Sequence, residues 1–292
     1  MATLKQQDKL KSDGFTRRYG GVPVLYLESE SDRYIYAEIW FRDNQQKVEF
    51  VAVNQQAGTS GCTAVINHVR NQRAQGNLAW GLVDRDALMA KGEWDLVWET
   101  DDVKFSLSTP FGPYVKATLL WELENYLADI DVCEAYLARA KLRVVRPATQ
   151  IHQEFRAHCE ALVPHAAYNA MAHQFGRSQT GDGLTNCFPN RQLVDNHIQS
   201  AMLSGCSSIE QATYSENINK VDRFDHQSGT DQQRFEGLRR RVHGKALLSR
   251  LVTCHSLSGK VCDHLGHLAE EIRRAGRVPD ELKSFLNDVI TT

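Results

Sequence analysis

Val22-Pro23-Val24-Leu25-Tyr26-Leu27 runs directly into Glu28, and Leu78-Ala79-Trp80-Gly81-Leu82-Val83 runs into Asp84-Arg85-Asp86. Both runs are short, apolar and bounded by polar residues, the pattern of strands buried on both faces of a parallel sheet. Each carboxylate then falls at the carboxyl end of its strand, where open α/β sheets place their ligand sites. Acids converging there repel one another, and a divalent cation is the simplest counterweight.

The segments around these two runs support a sheet. Ser29–Arg42 has helical spacing, with Tyr34, Ile35, Ile39 and Trp40 able to share a face and Ser29 able to cap it. Lys47–Val53 reads as a second strand. The loop Gly58-Thr59-Ser60-Gly61 leads into a helix over Cys62–Ala74. Trp94–Trp98 is expected to be a short fourth strand and Tyr114–Leu120 one more, followed by a helix from Trp121. This alternation predicts an α/β fold, with a parallel sheet flanked by helices over residues 1–130. A mostly α-helical C-terminal region, 131–292, follows. Its helices are expected at Val132–Lys141, Thr149–Gln174, Asp231–Arg241, Lys245–Arg274 (split near Ser258-Gly259) and Glu281–Ile290, with Thr180–Asn190 a loop rich in turn residues.

Composition narrows the function little. With 42% hydrophobic residues, the 292-residue chain can bury a substantial core. Lys and Arg total 34 against 36 Asp and Glu, a formal charge of -2, so only local patches bear on nucleic-acid binding. No apolar run approaches the ~20 residues that span a bilayer. Met1–Gly14 is polar and lacks a signal-peptide core. The seven cysteines are scattered without a CxxC pair, which fits reduced thiols, so a cytoplasmic protein is expected.

The chemistry rests on the acids. In an extended segment Asp84 and Asp86 point to the same side, and Asp32 lies one turn into the helix after Glu28. Mg²⁺, or Mn²⁺ in its place, prefers such oxygen ligands. Two ions ~3.5–4 Å apart would clamp the attacking and leaving oxygens of phosphoryl transfer. Glu28 is a candidate general base or acid, or a further ligand. The plainer alternative is that each acid caps a helix or faces solvent.

The order Glu28-x3-Asp32 after one strand and Asp84-x-Asp86 after another resembles the TOPRIM domain of topoisomerases, bacterial primases and OLD-family nucleases. The resemblance implies a catalytic Glu28, metal-binding Asp84 and Asp86, and Asp32 at a secondary acidic position. Ser29 stands where that family commonly has glycine. Leu82–Asp86, Trp121-Glu122-Leu123-Glu124-Asn125-Tyr126-Leu127 and His243-Gly244-Lys245 resemble the short TOPRIM proteins allied to OLD nucleases, among them the effectors of the PARIS antiphage defence system. This implies a Mg²⁺-dependent nuclease with Glu124 as an added carboxylate. It also implies an RNA substrate, transfer RNA included, or DNA, and an ABC-type ATPase partner that holds the effector until release. On residues alone, Glu122 and Glu124 equally suit the positive end of a helix.

Other signals are weaker. Arg239, Arg240, Arg241 and Lys245 form a basic run that could follow a nucleic-acid backbone, or be a solvated helix face or a surface for an acidic partner. Arg33 and Arg85 flank the acids and could meet a scissile phosphate or neutralise the cluster internally. Gly237 to Lys245 is not a phosphate loop: six residues separate Gly237 from Gly244, and Ala246 replaces the Ser or Thr. ATP hydrolysis is therefore expected of the partner. Cys254-His255, Cys262, His264 and His267 match no common zinc spacing, and there is no Gly-x-Ser-x-Gly elbow. Trp80, Trp94, Trp98 and Trp121 are expected in the core or at a domain interface. The expectation is a nuclease, with dimerisation through the helical half. Against it stand a non-catalytic regulatory subunit of an ATPase complex and a phosphate-ligand sensor.

Overall fold

The computed structural model describes residues 21–53 and 61–292. The expected polar lead-in and the Gly58-Thr59-Ser60 stretch lie outside the described residues. The chain begins with β1 (Val24–Leu27) and α1 (Glu30–Arg33), which runs on as a π-helical segment over Tyr34–Trp40. Next come β2 (Glu49–Ala52), α2 (Gly61–Ala74), β3 (Ala79–Val83), α3 (Ala87–Lys91), α4 (Trp94–Val97), α5 (Asp102–Leu107) and β4 (Val115–Ala117). The rest is helical: α6 (Leu123–Leu127), α7 (Ile130–Ala140), α8 (Ala148–Gln174), α9 (Arg191–His197), α10 (Ser208–Asp222), α11 (Asp231–Arg239), α12 (Gly244–Cys254), α13 (Val261–Arg274) and α14 (Asp280–Thr291).

Among the described residues, four strands form one parallel sheet in the order β2-β1-β3-β4, so the fold is α/β as expected. Val24 to Leu27 are all buried, as the unbroken apolar run requires. Two local expectations fail. Trp94–Trp98 is a helical turn, not a strand: Trp94, Val97 and Trp98 are spaced i, i+3, i+4, and Trp98 N–H donates to the Trp94 carbonyl. Tyr34 is 51% exposed, whereas Tyr36 and Ala37 are buried with Ile35, Ile39 and Trp40. The wider π turn, seen in the Phe41 N–H bond to the Tyr36 carbonyl, rotates the buried face away from the α-helical one.

The chain divides into two compact units, and not by a single cut near residue 130. The sheet unit takes the described residues up to Val83, then Phe111–Ala117 and Val278–Thr292; the helical unit takes Asp84–Pro110 and Thr118–Arg277. In the sheet unit, Val65 and Val69 of α2 are buried, and His68 meets Tyr26 of β1 with ring centroids 4.7 Å apart. The C-terminal α14, expected in the helical region, belongs to the sheet unit, where Phe285 packs edge-on to Trp80 of β3.

The helical unit is built around α8, which packs against α7, α9, α10, α11 and α12. Ala161 through Ala172 of α8 are all buried, as befits a helix with neighbours on every side. No helix among the described residues is long and apolar enough to cross a membrane. Cys62, Cys133, Cys159, Cys206, Cys254 and Cys262 are free thiols.

Candidate metal centre

The strand order reverses at β1 and β3. β1 leads to β2 on one side, and β3 lies on the other, paired Val24 to Ala79 through Tyr26 to Gly81. In open α/β sheets, ligands commonly bind beyond the carboxyl ends of the strands at such a switch point. Glu28 is the residue after β1, and Asp84 is the residue after β3. Both are half-buried. Ser29 has extended backbone (φ -143°), which needs no glycine. Its Oγ accepts the Asp32 N–H at 3.1 Å, the expected cap. Gly61 opens α2 beside Glu28: a Cβ there would lie 2.9 Å from Glu28 Oε2.

In the helical unit, Asp84-Arg85-Asp86 is a turn into α3 and not an extended segment, with the Ala87 N–H bonded to the Asp84 carbonyl. The pair still converges, because carboxylate oxygens of Asp84 and Asp86 lie within 4.8 Å of each other. Burial, and then the charge of Glu122, push the Asp86 carboxyl up to about 7, against the opposing pull of Lys245 and Arg241. Low polarity and a like charge both disfavour the ionised form. Among the described residues, Asp32 and Glu124 join no group of three metal-ligand side chains at that spacing.

The two motifs singled out far apart in the chain meet here. Glu122 caps α6, with Asn125 Oδ1 accepting the Glu122 N–H at 2.8 Å. Asn125 Nδ2 donates to the carbonyls of Arg239 (2.7 Å) and Val242 (2.8 Å). Glu122 Oε2 accepts the Lys245 N–H at the start of α12, at 3.1 Å. Gly244 makes this approach possible, since a Cβ there would sit 2.6 Å from the Asn125 backbone nitrogen. Lys245 Nζ lies 3.4 Å from Glu122 and 3.6 Å from Glu124. Burial alone would lower its pKa, but Glu122, Glu124, Asp84 and Asp86 together raise it, so it stays an ammonium.

Behind these groups the unit is closed. The His165 and His243 rings are 5.0 Å apart, and burial first of all drives both to about 3, so both are neutral. Asp182 is raised by burial and by Glu122. The Arg241 guanidinium is fully buried over Trp121 (3.7 Å) and Trp98 (4.4 Å), and its nitrogens make no hydrogen bond among the described residues.

The expected basic residues do not form an exposed face. Arg85 is fully buried and donates to the carbonyls of Leu119, Leu96 and Glu99, so it braces the turn and cannot reach a phosphate. Arg241 is buried. Arg239 pairs with Glu236, and Arg240 with Asp102 and the Thr100 carbonyl. Arg33 pairs with Glu30 at 2.8 Å and Glu38 at 3.2 Å. Among these described basic residues, Lys245, with its side chain 47% exposed, is the one both near Glu122 and Glu124 and open. Sequence reasoning missed Glu122 as a partner of Lys245, and also Asp182 and His165. Compared with protein-family models, curated proteins and solved structures, the chain finds no match.

Proposed function

We propose that the chain is a divalent-cation-dependent nuclease with Glu28, Asp84 and Asp86 as its catalytic acids. The reading rests on the Asp84–Asp86 pair, two half-buried carboxylates within 4.8 Å at the end of β3, one of them raised to about 7. Oxygen donors under such repulsion suit a hard cation, Mg²⁺ or Mn²⁺. Glu28, carried by the adjoining strand, would complete the donor set or take the proton of an attacking water. The bound cation would supply Lewis acidity toward a phosphoryl oxygen. Lys245, kept charged by four carboxylates, would meet the negative charge that builds on the phosphate.

The resemblance to OLD-allied TOPRIM proteins supports an AriB-like effector of antiphage defence. On that reading the substrate is RNA, transfer RNA included, or DNA. The holding partner is an ABC-type ATPase, the active form a homodimer and the compartment the cytoplasm. The second reading is a non-catalytic regulatory subunit of that ATPase complex. Lys245 favours it, because an ammonium 3.4 and 3.6 Å from Glu122 and Glu124 balances the acids without any cation.

Sequencing of cellular RNA, with a check of DNA integrity, after induction of the wild type and of Glu28→Gln separates the two. The nuclease reading expects new 5′ or 3′ ends in the wild type and none in the variant. Identical end profiles in both would leave the regulatory reading standing.

A further inference from the structure

A second cluster lies wholly within the helical unit, and its argument does not rest on the acidic centre. Glu154 and His158 sit one turn apart on α8, and His255 follows the last residue of α12. Glu154 Oε1 is 3.1 Å from His255 Nε2 and 3.9 Å from His158 Nε2, and one ligand atom from each residue lies within 4.8 Å of the others. We propose that Glu154, His158 and His255 form a binding site for a transition-metal cation of the zinc class.

Three features point to a cation and not to a plain ion pair. First, neither Nε2 makes a hydrogen bond although both atoms are buried, and His158 is only 8% exposed. An imidazolium answering the carboxylate would close to hydrogen-bond distance, whereas His158 Nε2 stands 3.9 Å from Glu154 Oε1. Second, Glu154 divides its oxygens: Oε2 is bonded to Arg146, which leaves Oε1 facing the rings. Outer partners of this kind commonly orient a metal-binding carboxylate. Third, ligand atoms ~2.0–2.1 Å from a tetrahedral ion stand about 3.3 Å apart, so the two Oε1 separations are close to the required span.

Two imidazoles and one carboxylate are a donor set of zinc and its first-row neighbours, and they leave a position for water. Chain spacing hides the set. In the sequence His255 stands with Cys254, Cys262, His264 and His267 at no common zinc spacing, and His264 Nδ1 is hydrogen-bonded to the Tyr136 hydroxyl at 2.7 Å. The ligands that do converge lie about a hundred residues apart in the chain. A cation here would tie the end of α12 to α8, and thereby steady the helix whose other end presents Gly244 and Lys245.

The test is titration of the metal-free full chain with Zn²⁺ alone, followed by calorimetry, with Co²⁺ as a spectroscopic probe. The expected result is one tight equivalent bound by the wild type and by Asp84→Asn, separate from any weaker uptake at the acidic centre, with a visible ligand-field band from Co²⁺. His255→Gln and His158→Ala should weaken binding roughly a hundredfold or more, while Cys254→Ser should bind as the wild type does. Circular dichroism shows whether His158→Ala has folded; if it has not, the more open His255→Gln decides. No Zn²⁺ binding by the wild type, unchanged binding in His255→Gln, or loss of binding in Asp84→Asn or Cys254→Ser instead would overturn the proposal.

Discussion

In the sheet unit, the ion pairs of Arg33 with Glu30 and Glu38 lie open to solvent. In the helical unit, Arg85, Arg241, Arg250, Glu134, His165 and His243 are all closed off from it. Exposed pairs are worth little to stability, whereas buried charge is costly unless it is answered locally. The helical unit answers it in several ways. Glu134 takes Arg143 and Arg146 at 3.0 Å or less, Arg85 takes three carbonyls, and Arg241 takes two indole faces. The difference teaches where chemistry can be tuned. The sheet unit delivers Glu28 to a fixed place by backbone pairing, and the helical unit has the low-polarity surroundings that raise Asp86.

The comparison can be broken at its most heavily buried point. His165 and His243 have folded-state pKa values of about 3, below the ordinary 6.5. The unfolded chain therefore takes up protons first as the pH falls. The stability from burying the neutral rings is complete above 6.5 and is lost progressively from there toward 3. Urea melts should show a loss on the order of 2 kcal/mol for each histidine between pH 7 and pH 4.5. Replacing His165 by Asn should make the profile shallower. A flat profile in the wild type would refute the burial argument.

Two glycines, one in each unit, provide a smaller contrast. Gly244→Ala would drive a methyl to 2.6 Å from the Asn125 backbone nitrogen, which cannot move aside, and should cost about 2–3 kcal/mol. Gly61→Ala meets Glu28 Oε2 at 2.9 Å, the end of a flexible side chain, and should cost about 1 kcal/mol. Its larger consequence would be for cation binding, since Glu28 must swing away. Equal losses of melting temperature would contradict the assigned environments. The smallest effect belongs to the exposed pair: Arg33→Ala should change stability by less than about 0.5 kcal/mol, and less still at high salt.

The sequence reveals what local pattern determines. The apolar runs of β1 and β3 fix strand ends, and so place Glu28 and Asp84 each directly after its own strand. Long periodic helices such as α8 and α13 are equally legible. Trp94–Trp98 was ambiguous because five residues with apolar positions at both ends fit either period. The helix α10 gave no apolar stripe, because two of its four buried residues are Glu210 and Asn217. The run Arg239–Lys245 read as a basic face, since charge in sequence says nothing of burial. Tertiary packing sends Arg241 inward, onto Trp98 and Trp121. Glu122 had a visible role as a helix opener, but its hold on Lys245 joins segments more than a hundred residues apart.

The central claim is that the acids after β1 and β3 form a cation-dependent cutting centre. The most direct measurement is cleavage of labelled RNA and DNA by the purified chain with Mg²⁺, with a chelator, and in Asp84→Asn and Glu28→Gln. The account predicts cleavage only with Mg²⁺, lowered roughly a thousandfold or more in both variants, with their folding intact. Full cleavage in the chelator, or unimpaired cleavage by either variant, would contradict it.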